Sequence, residues 1–570
     1  DFEGNELEAL DEDAVRAAAR ALKSKEVNSI AVVYLFSYMN PRHEQRTRDL
    51  ILEEWPDAHV SLSSDVLPRI REWARMSTTL LNAYLEPVLV HYIGDLSDGL
   101  DDGGVETQQR FLMQSNGGVM PFKAAVAGAK TVHTLFSGPA AGAQAAAYLA
   151  AEDAKKGLVT LDMGGTSCDI AFIEGGAPLE VTEGEVARRR LDVPALDLTT
   201  ISAGGGSIAW IDGGGLLAVG PQSAGADPGP VCYGKGGENP TVTDADIACG
   251  FLNPDYFLGG AQSLDVDTSK RALDEKVGKP LGMSALDAAA GIRRIVDMRM
   301  ADEVRIFGAK RGVDPQEFTL LPFGGAGAVH AAPVAEELGM TRILVPPQPG
   351  AFSALGLLCT DVVHDYIRSE LRPLDQVPPA HAEEIFRELE ERGRQELESE
   401  GMDPASATFA RELDMRYTGQ GYELRVGLDG IGSGASGLDD AALIEARERF
   451  DGIHARIHGH AAREKPTEVV SYRVRARVAV PKYEPVVEQN VTAAPAPEAA
   501  RKGTRDVWFT SAAAINTAIW DRNALPVGAT LAGPAIVEQL DSTIVVPDGW
   551  QANVDGYRNL ILTRELYNGA

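Results

Sequence analysis

Cysteine is scarce. Cys168, Cys232, Cys249 and Cys359 are the only four in 570 residues, with no C-x-x-C pair and no His at ligand spacing. So few thiols in a chain this long argue against a disulfide framework and for a reducing, cytoplasmic compartment. Long apolar runs are missing as well. None reaches the ~18 residues that a membrane-spanning helix needs, and the most apolar helical stretch, Ala140 to Ala151, carries Gly142 and Gln144. Positive charge is in deficit: 53 Lys and Arg stand against 83 Asp and Glu, a net charge of −30. A field of that sign repels nucleic acid and anionic lipid, so neither is expected as a partner. The opening DFEGNELEAL is acidic, unlike a signal peptide, and lacks Met, as a chain starting inside a longer protein would.

What remains is ordinary globular composition, 44% hydrophobic and 24% charged. At about 150 residues per domain the length suggests three or four units. Helix and strand alternate early: a helix over 12–22, an apolar strand over 29–36 buried on both faces, a helix over 43–54 and a short strand over 60–63. Such alternation implies a mainly parallel sheet with packed helices. A strand over 111–115 runs into the turn signal Asn116-Gly117. Ser137-Gly138-Pro139 opens an Ala-rich helix. Ser284 and Asp287 form a capping-box start for a helix over 284–308, with Ala288, Ile292, Ile295, Val296 and Met300 as its stripe. Beyond residue 369 a charged helix over 383–400 precedes strands near Met415 and Leu424. Residues 430–437 (GIGSGASG) read as a flexible connection, followed by a helix over 441–458. Alternating Val470, Tyr472, Val474, Ala476 and Val478 with Arg473, Arg475 and Arg477 predict a half-exposed strand. Residues 493–500 (AAPAPEAA) read as a linker, and the last 70 residues as short strands in a β-rich module.

The chemistry concentrates in glycine. In 158–173, LVTLDMGGTSCDIAFI, two apolar runs flank Asp162-Met163-Gly164-Gly165-Thr166-Ser167. A strand–turn–strand of this kind can aim N–H groups and hydroxyls into one concavity and cradle phosphate oxygens. Glycine lets the phosphate approach, because a Cβ would hold it off. Asp162 at the strand end can hold Mg²⁺, and Asp169 is a second candidate. An ordinary hairpin whose glycines serve only the turn is the alternative. A second cluster, Phe323 to His330 (FGGAGAVH), sits between a strand and a helix, the geometry of a helix start facing an anion or a nucleotide, with a close helix–strand contact as the alternative. A third, Ser202 to Ser207 with Gly205 and Gly206, precedes Gly220 to Gly237, and so many close glycines suggest backbone approaching a ligand.

These segments also occur together in one order: SNGG (115–118), SGPAAG (137–142), DMGGTS (162–167), AGGGS (203–207), GPQSAGADPGPVCYG (220–234), TVTDAD (241–246), FLGG (257–260) and FGGAGAVH (323–330). RYTGQGYEL (416–424) and GPAIVEQLDST (533–543) continue the pattern. Over nearly its whole length the sequence resembles the hydantoinase A / 5-oxoprolinase family, which includes ketone carboxylase ATP subunits. The resemblance implies an α/β fold: a duplicated actin-like ATPase core with mixed sheets, followed by C-terminal α+β and β-rich modules. The division it implies is 1–152 for the remainder of the first half, 153–368 for the second half, 369–490 for the α+β domain and 491–570 for the β-rich module. It implies ATP and Mg²⁺ as cofactors, with Asp162 and Asp169 catalytic and Asp162 on the metal. Gly164, Gly165, Thr166 and Ser167 would grip phosphates, with Gly205 and Gly206 also binding the cofactor. Gly324, Gly325, Gly327 and His330 would face the adenosine side, and Asn116, Gly117 and Ser207 the substrate.

The implied activity is phosphorylation of a cyclic amide (a hydantoin, 5-oxoproline or another lactam) for hydrolysis with a hydantoinase B-type partner in a hetero-oligomer. A ketone carboxylase ATP subunit is the enzymatic alternative, and an actin-like nucleotide switch the non-enzymatic one. Two departures stand out. The family's earlier Asp-x-Gly-Gly-Thr hairpin is missing, so the chain alone is expected to hydrolyse ATP poorly. Thr199 stands where members often carry His. Among single residues, His330 is either a ligand contact or a hydrogen-bonded residue near a helix start. His454 and His458, four apart, have metal spacing but more simply serve an interface or cap. Arg188 to Arg190 read as a solvated run, with a phosphate or subunit contact as the alternative. Cys168 reads as a small apolar core residue.

Overall fold

The computed structural model describes every residue except 2, 108, 127–129, 432–436, 490 and 566–570. It contains two compact units, each assembled from three separate stretches of chain. The connection read at 430–437 lies mostly outside the described residues.

The first unit comprises Asp1–Ser137, Glu180–Ala195 and Thr360–Pro481. Its first helix, Glu12–Lys23, is capped by Asp11, which accepts from the Ala14 N–H. Strand Ser29–Val32 pairs in parallel with His59–Leu62 across the helix Arg42–Glu54. The expected run to Phe36 is shorter here. Pairing on one side only leaves alternate residues buried, and Phe36 turns away at φ 59°. A six-stranded sheet follows, in the order Leu424–Gly427, Ala407–Tyr417, Thr467–Val478, Val362–Pro373, Val119–Pro121 and Phe111–Met113. Helix Pro379–Ser399 packs on its two central strands. The predicted half-exposure of 470–478 is corrected: this is an interior strand, buried on both faces until its last turns. Its arginines lie within the sheet against carboxylates, Arg473 on Asp414 and Arg475 on Asp365, both at 2.8 Å.

The second unit comprises Gly138–Leu179, Leu196–Cys359 and Lys482–Ala570. Its mixed sheet runs Leu198–Ile201, Cys168–Glu174, Leu158–Met163, Thr319–Phe323 and Arg342–Val345, then Leu560–Thr563, Gln551–Val554, Ala529–Ala532 and Ala494–Pro495. Strands Leu158–Met163, Thr319–Phe323 and Arg342–Val345 are parallel to one another, and both their flanks are antiparallel. Leu158, Val159, Leu161, Leu320 and Leu321 have no exposed surface, as strands covered on both faces require. The Ala-rich helix Ser137–Leu149 lends Ala145 and Ala146 to one covering layer, beside Phe323 and Phe352. On the other lies helix Ala285–Ala309. Ser284 and Asp287 close its capping box, and Ala288, Ile292, Val296 and Met300 are fully buried. The final strands therefore continue the sheet that carries the glycine turns, beside a four-stranded sheet of Arg501–Thr510, Ala513–Asp521, Ala535–Glu538 and Thr543–Val546. Part of the stretch read as a linker, Ala494–Pro495, forms the sheet's edge. Among the described residues no helix is long and apolar enough to cross a membrane. All four cysteines are free and buried.

Candidate functional site

Strands Leu158–Met163 and Cys168–Glu174 form an antiparallel hairpin that puts Asp162 opposite Asp169. The turn closes with Gly164 N–H donating to the Ser167 carbonyl at 3.1 Å, leaving Gly165 and Thr166 exposed. Two further glycine segments pack against this turn. From 202–207, the N–H groups of Gly205 and Gly206 donate to the carbonyls of Gly164 (3.0 Å) and Gly165 (2.6 Å). A Cβ on Gly204 would lie 2.6 Å from the Gly165 carbonyl carbon and the Thr166 nitrogen. From the other side, the Ala326 N–H donates to the Met163 carbonyl at 3.1 Å. Gly324 adopts φ 76°, and a Cβ there would sit 2.4 Å from that carbonyl. The glycines at 204 and 324 thus serve backbone-to-backbone contact.

Gly164 and Gly165 differ. A Cβ on either would meet nothing within 4 Å, and both border a cavity of about 180 Å³. Gly205 and Gly325 share its floor, and Tyr233, Leu252, Tyr256 and Phe257 give it an apolar, aromatic wall. The opposite wall is the turn Glu538 to Thr543. That turn is held by Asp541, which accepts from the Gly350 N–H at 2.8 Å, and by Gln539, which donates to the Pro347 carbonyl at 3.1 Å. Glu538, almost fully buried, takes hydrogen bonds from Asn253, Lys502 and Arg505, and this cationic company keeps its carboxyl ionised. Lys502 also lies 3.5 Å from the Tyr256 ring centroid, fixing that aromatic wall.

Asp162 receives one weak bond, from the Ser353 hydroxyl at 3.1 Å. Burial, and then the neighbouring Asp169 charge, push its carboxyl up to about 6. Asp169 is raised too, chiefly by burial, although the Thr200 hydroxyl donates to it. Two carboxylates short of cationic partners beside an open glycine turn form an acceptor set that a divalent cation would satisfy. The room over Gly164 and Gly165 is the room that bulky phosphate oxygens require. The residues present therefore fit a magnesium-bound phosphate chain.

Three family models cover the chain: the hydantoinase/oxoprolinase N-terminal region over residues 1–55, hydantoinase/oxoprolinase over 75–366, and the hydantoinase/oxoprolinase C-terminal domain over 378–565. The chain belongs to the hydantoinase/oxoprolinase family. It is 34% identical to the caprolactamase subunit alpha of Pseudomonas jessenii, over 97% of this chain and 79% of that one. It is also 34% identical to the acetophenone carboxylase gamma subunit of Aromatoleum aromaticum, over 99% and 77%. Among solved structures it matches the ATP-dependent caprolactamase of Pseudomonas jessenii (TM-score 0.80, 33% identity, 99% of this chain and 81% of that one). A nucleotide-free acetone carboxylase gives TM-score 0.82, 29% identity, 99% and 80%. The mixed α/β fold is that of these enzymes.

Not every residue read from the family pattern reaches the cavity: Asp162, Thr166, Ser167 and Asp169 flank the glycine turn but are not part of its lining. His330 has no exposed surface. It lies between Asp297 (Nδ1 to Oδ1, 2.6 Å) and Asp246 (Nε2 to Oδ2, 3.3 Å), so the hydrogen-bonded reading describes it. The two carboxylates overcome burial and raise its pKa to about 9. Asp246, tied to Arg293 as well, does border the cavity. Ser207 is fully buried, its hydroxyl accepting from the Gly204 N–H at 2.9 Å. Gly206 is stitched beneath the hairpin turn, and Gly327 starts the helix Gly327–Leu338 close to the Leu161 carbonyl. Asn116 and Gly117 belong to the first unit. The Asn116 side chain donates to Asp365 (3.0 Å) and accepts from the Gly118 N–H (2.9 Å), and the Gly117 carbonyl accepts from Thr360. Both nitrogens of His454 are engaged, by the His460 carbonyl and by Gln420, which leaves that pair without a metal ligand at 454. Cys168 is buried and its thiol strongly raised, an inert core residue. Arg190 is ion-paired with Asp192 and Glu183. The sequence reading missed Asn253, Tyr256, Leu540 and Asp541. Two quoted motifs touch this wall, at 257–260 and 533–543, but neither carries a charge pattern that announces a ligand.

Proposed function

We propose that this chain is the ATP-using subunit of an amidohydrolase that activates a cyclic amide for hydrolysis together with a hydantoinase B-type partner in a reducing cytoplasmic setting. The observation that carries the reading is the pair Gly164 and Gly165, whose missing side chains open onto the cavity while their neighbours hold the turn rigid. When bound, magnesium ATP supplies a phosphoryl group that turns an amide oxygen into a better leaving group. Asp162 is the residue for the metal, with Asp169 maintaining negative charge beside it. The N–H groups of Gly165 to Ser167 and the Thr166 and Ser167 hydroxyls grip phosphate oxygens by positioning and charge neutralisation. Tyr256, Phe257 and Leu252 offer stacking and apolar contact to a purine, and the Glu538–Asn253 pair fixes the polar edge of that wall. A duplicated actin-like core is the frame we infer for these loops, which the hairpin and the glycine-initiated helix support.

The test is phosphate release with a lactam panel in the presence of the partner subunit. The reading expects ATP consumption that rises with one lactam and equals the amide bonds opened. Strict dependence on bicarbonate and a ketone would instead select the carboxylase activity carried by two of the relatives. Slow hydrolysis indifferent to either class would select a nucleotide switch.

A further inference from the structure

A second cluster of chemical side chains lies in the first unit, and nothing in the nucleotide reading uses it. Strand Val362–Pro373 carries His364, and helix Pro379–Ser399 carries Glu396 in its last turn, with Glu400 as its C-cap. The two glutamates are four apart and share a face. One ligand atom from each of the three residues lies within 4.8 Å of the others. His364 Nε2 is 2.8 Å from Glu400 Oε2. Its Nδ1 is 3.1 Å from the Lys130 ammonium, which also contacts Glu396.

Two observations point to an occupant beyond this set. Glu400, with 4% of its side chain exposed, leaves Oε1 buried and without a hydrogen-bond partner, 3.9 Å from Lys130 Nζ. The buried Tyr366 hydroxyl lies beside Glu396, and burial and then the Glu396 charge raise its pKa. His364, Lys130, His133 and Glu396 also line a cavity of about 140 Å³, so an ion has a way in. His133 there is kept neutral, pushed down to about 4 by burial and the Lys130 charge.

We propose that His364, Glu396 and Glu400 form a binding site for a divalent first-row transition metal ion, and that Lys130 holds the cation's place in the metal-free protein. One imidazole and two carboxylates, with no thiolate, suit Zn²⁺ or Mn²⁺ and leave a fourth position for water. Tetrahedral ligands bonded at about 2.1 Å stand about 3.4 Å apart. The His364–Glu400 pair, at 2.8 Å, therefore needs to open slightly, and the rest of the cluster, within 4.8 Å, to draw in. Two carboxylates balance the ion's charge, and the helix C-terminus adds a partial negative charge at the same place. Lys130 competes for these groups, and its side chain is 21% exposed, so it has solvent to retreat into.

The experiment is calorimetric titration of the untagged 570-residue chain with Zn²⁺ in nucleotide-free buffer. One ion per chain is expected. Lys130→Met should bind about tenfold tighter, and His364→Ala and Glu400→Gln at least about tenfold weaker. Asp162→Asn and His458→Ala should leave this binding unchanged, which separates it from the nucleotide site and from the exposed histidines. Absence of stoichiometric binding by the unmodified chain would overturn the proposal, as would full affinity in His364→Ala and Glu400→Gln. Should those two variants fail to fold, Lys130→Met decides: tighter binding supports the site, and equal or weaker binding refutes it.

Discussion

Glycines that look alike in sequence do different work. At Gly204 an added methyl group would meet the backbone of residues 165 and 166 at 2.6 Å, and backbone cannot step aside. Gly204→Ala is therefore expected to cost about 1–3 kcal/mol, visible as a lower thermal midpoint. Asp162 gives a pH prediction. Its carboxyl must be ionised to hold a cation, and its pKa is raised to about 6 by burial and then by Asp169. ATP-coupled turnover should fall as pH drops through 6, and Asp169→Asn should move that inflection to lower pH. Asp162→Asn should abolish coupled turnover while circular dichroism stays unchanged. The DMGGTS turn was legible because its donors, glycines and carboxylates are contiguous. His330 was not, because its partners Asp246 and Asp297 are 84 and 33 residues away, and only the packed fold shows that they enclose it.

At the scale of elements, His330 ties helix Gly327–Leu338 to Asp246 on Val242–Ala248 and to Asp297 on Ala285–Ala309. Its pKa, raised to about 9 from the usual 6.5, means that the native state holds the proton more tightly than the unfolded chain. That stabilisation is complete below pH 6.5 and is lost as pH rises through 9. The thermal midpoint should fall over this window in the natural chain and much less in His330→Ala. The variant itself should lose about 3–5 kcal/mol, because it leaves the buried Asp297 without its cation and Asp246 with Arg293 alone. Local signals explain what was readable: the Ser284–Asp287 box and its apolar stripe lie within one helix. The Thr467–Val478 strand was misread for the opposite reason. Arg473 and Arg475 alternate with apolar residues as solvent-facing residues do, yet the carboxylates that let them be buried come from neighbouring strands.

For the whole molecule, each unit draws on three distant stretches of chain, and no linear composition shift marks that interleaving. The net charge of −30 repels polyphosphate, and on the proposed reading a divalent cation offsets that repulsion at the glycine turn. Relatives named as subunits point to shared work, so lactam-coupled ATP consumption should appear only when the B-type partner is added. The most direct measurement is equilibrium binding of magnesium ATP to the natural chain and to Gly165→Val, whose new side chain has open space and leaves the fold intact. An affinity loss of at least about tenfold (~1.4 kcal/mol) with an unchanged thermal midpoint is predicted; equal affinity in the two proteins would contradict the phosphate cradle.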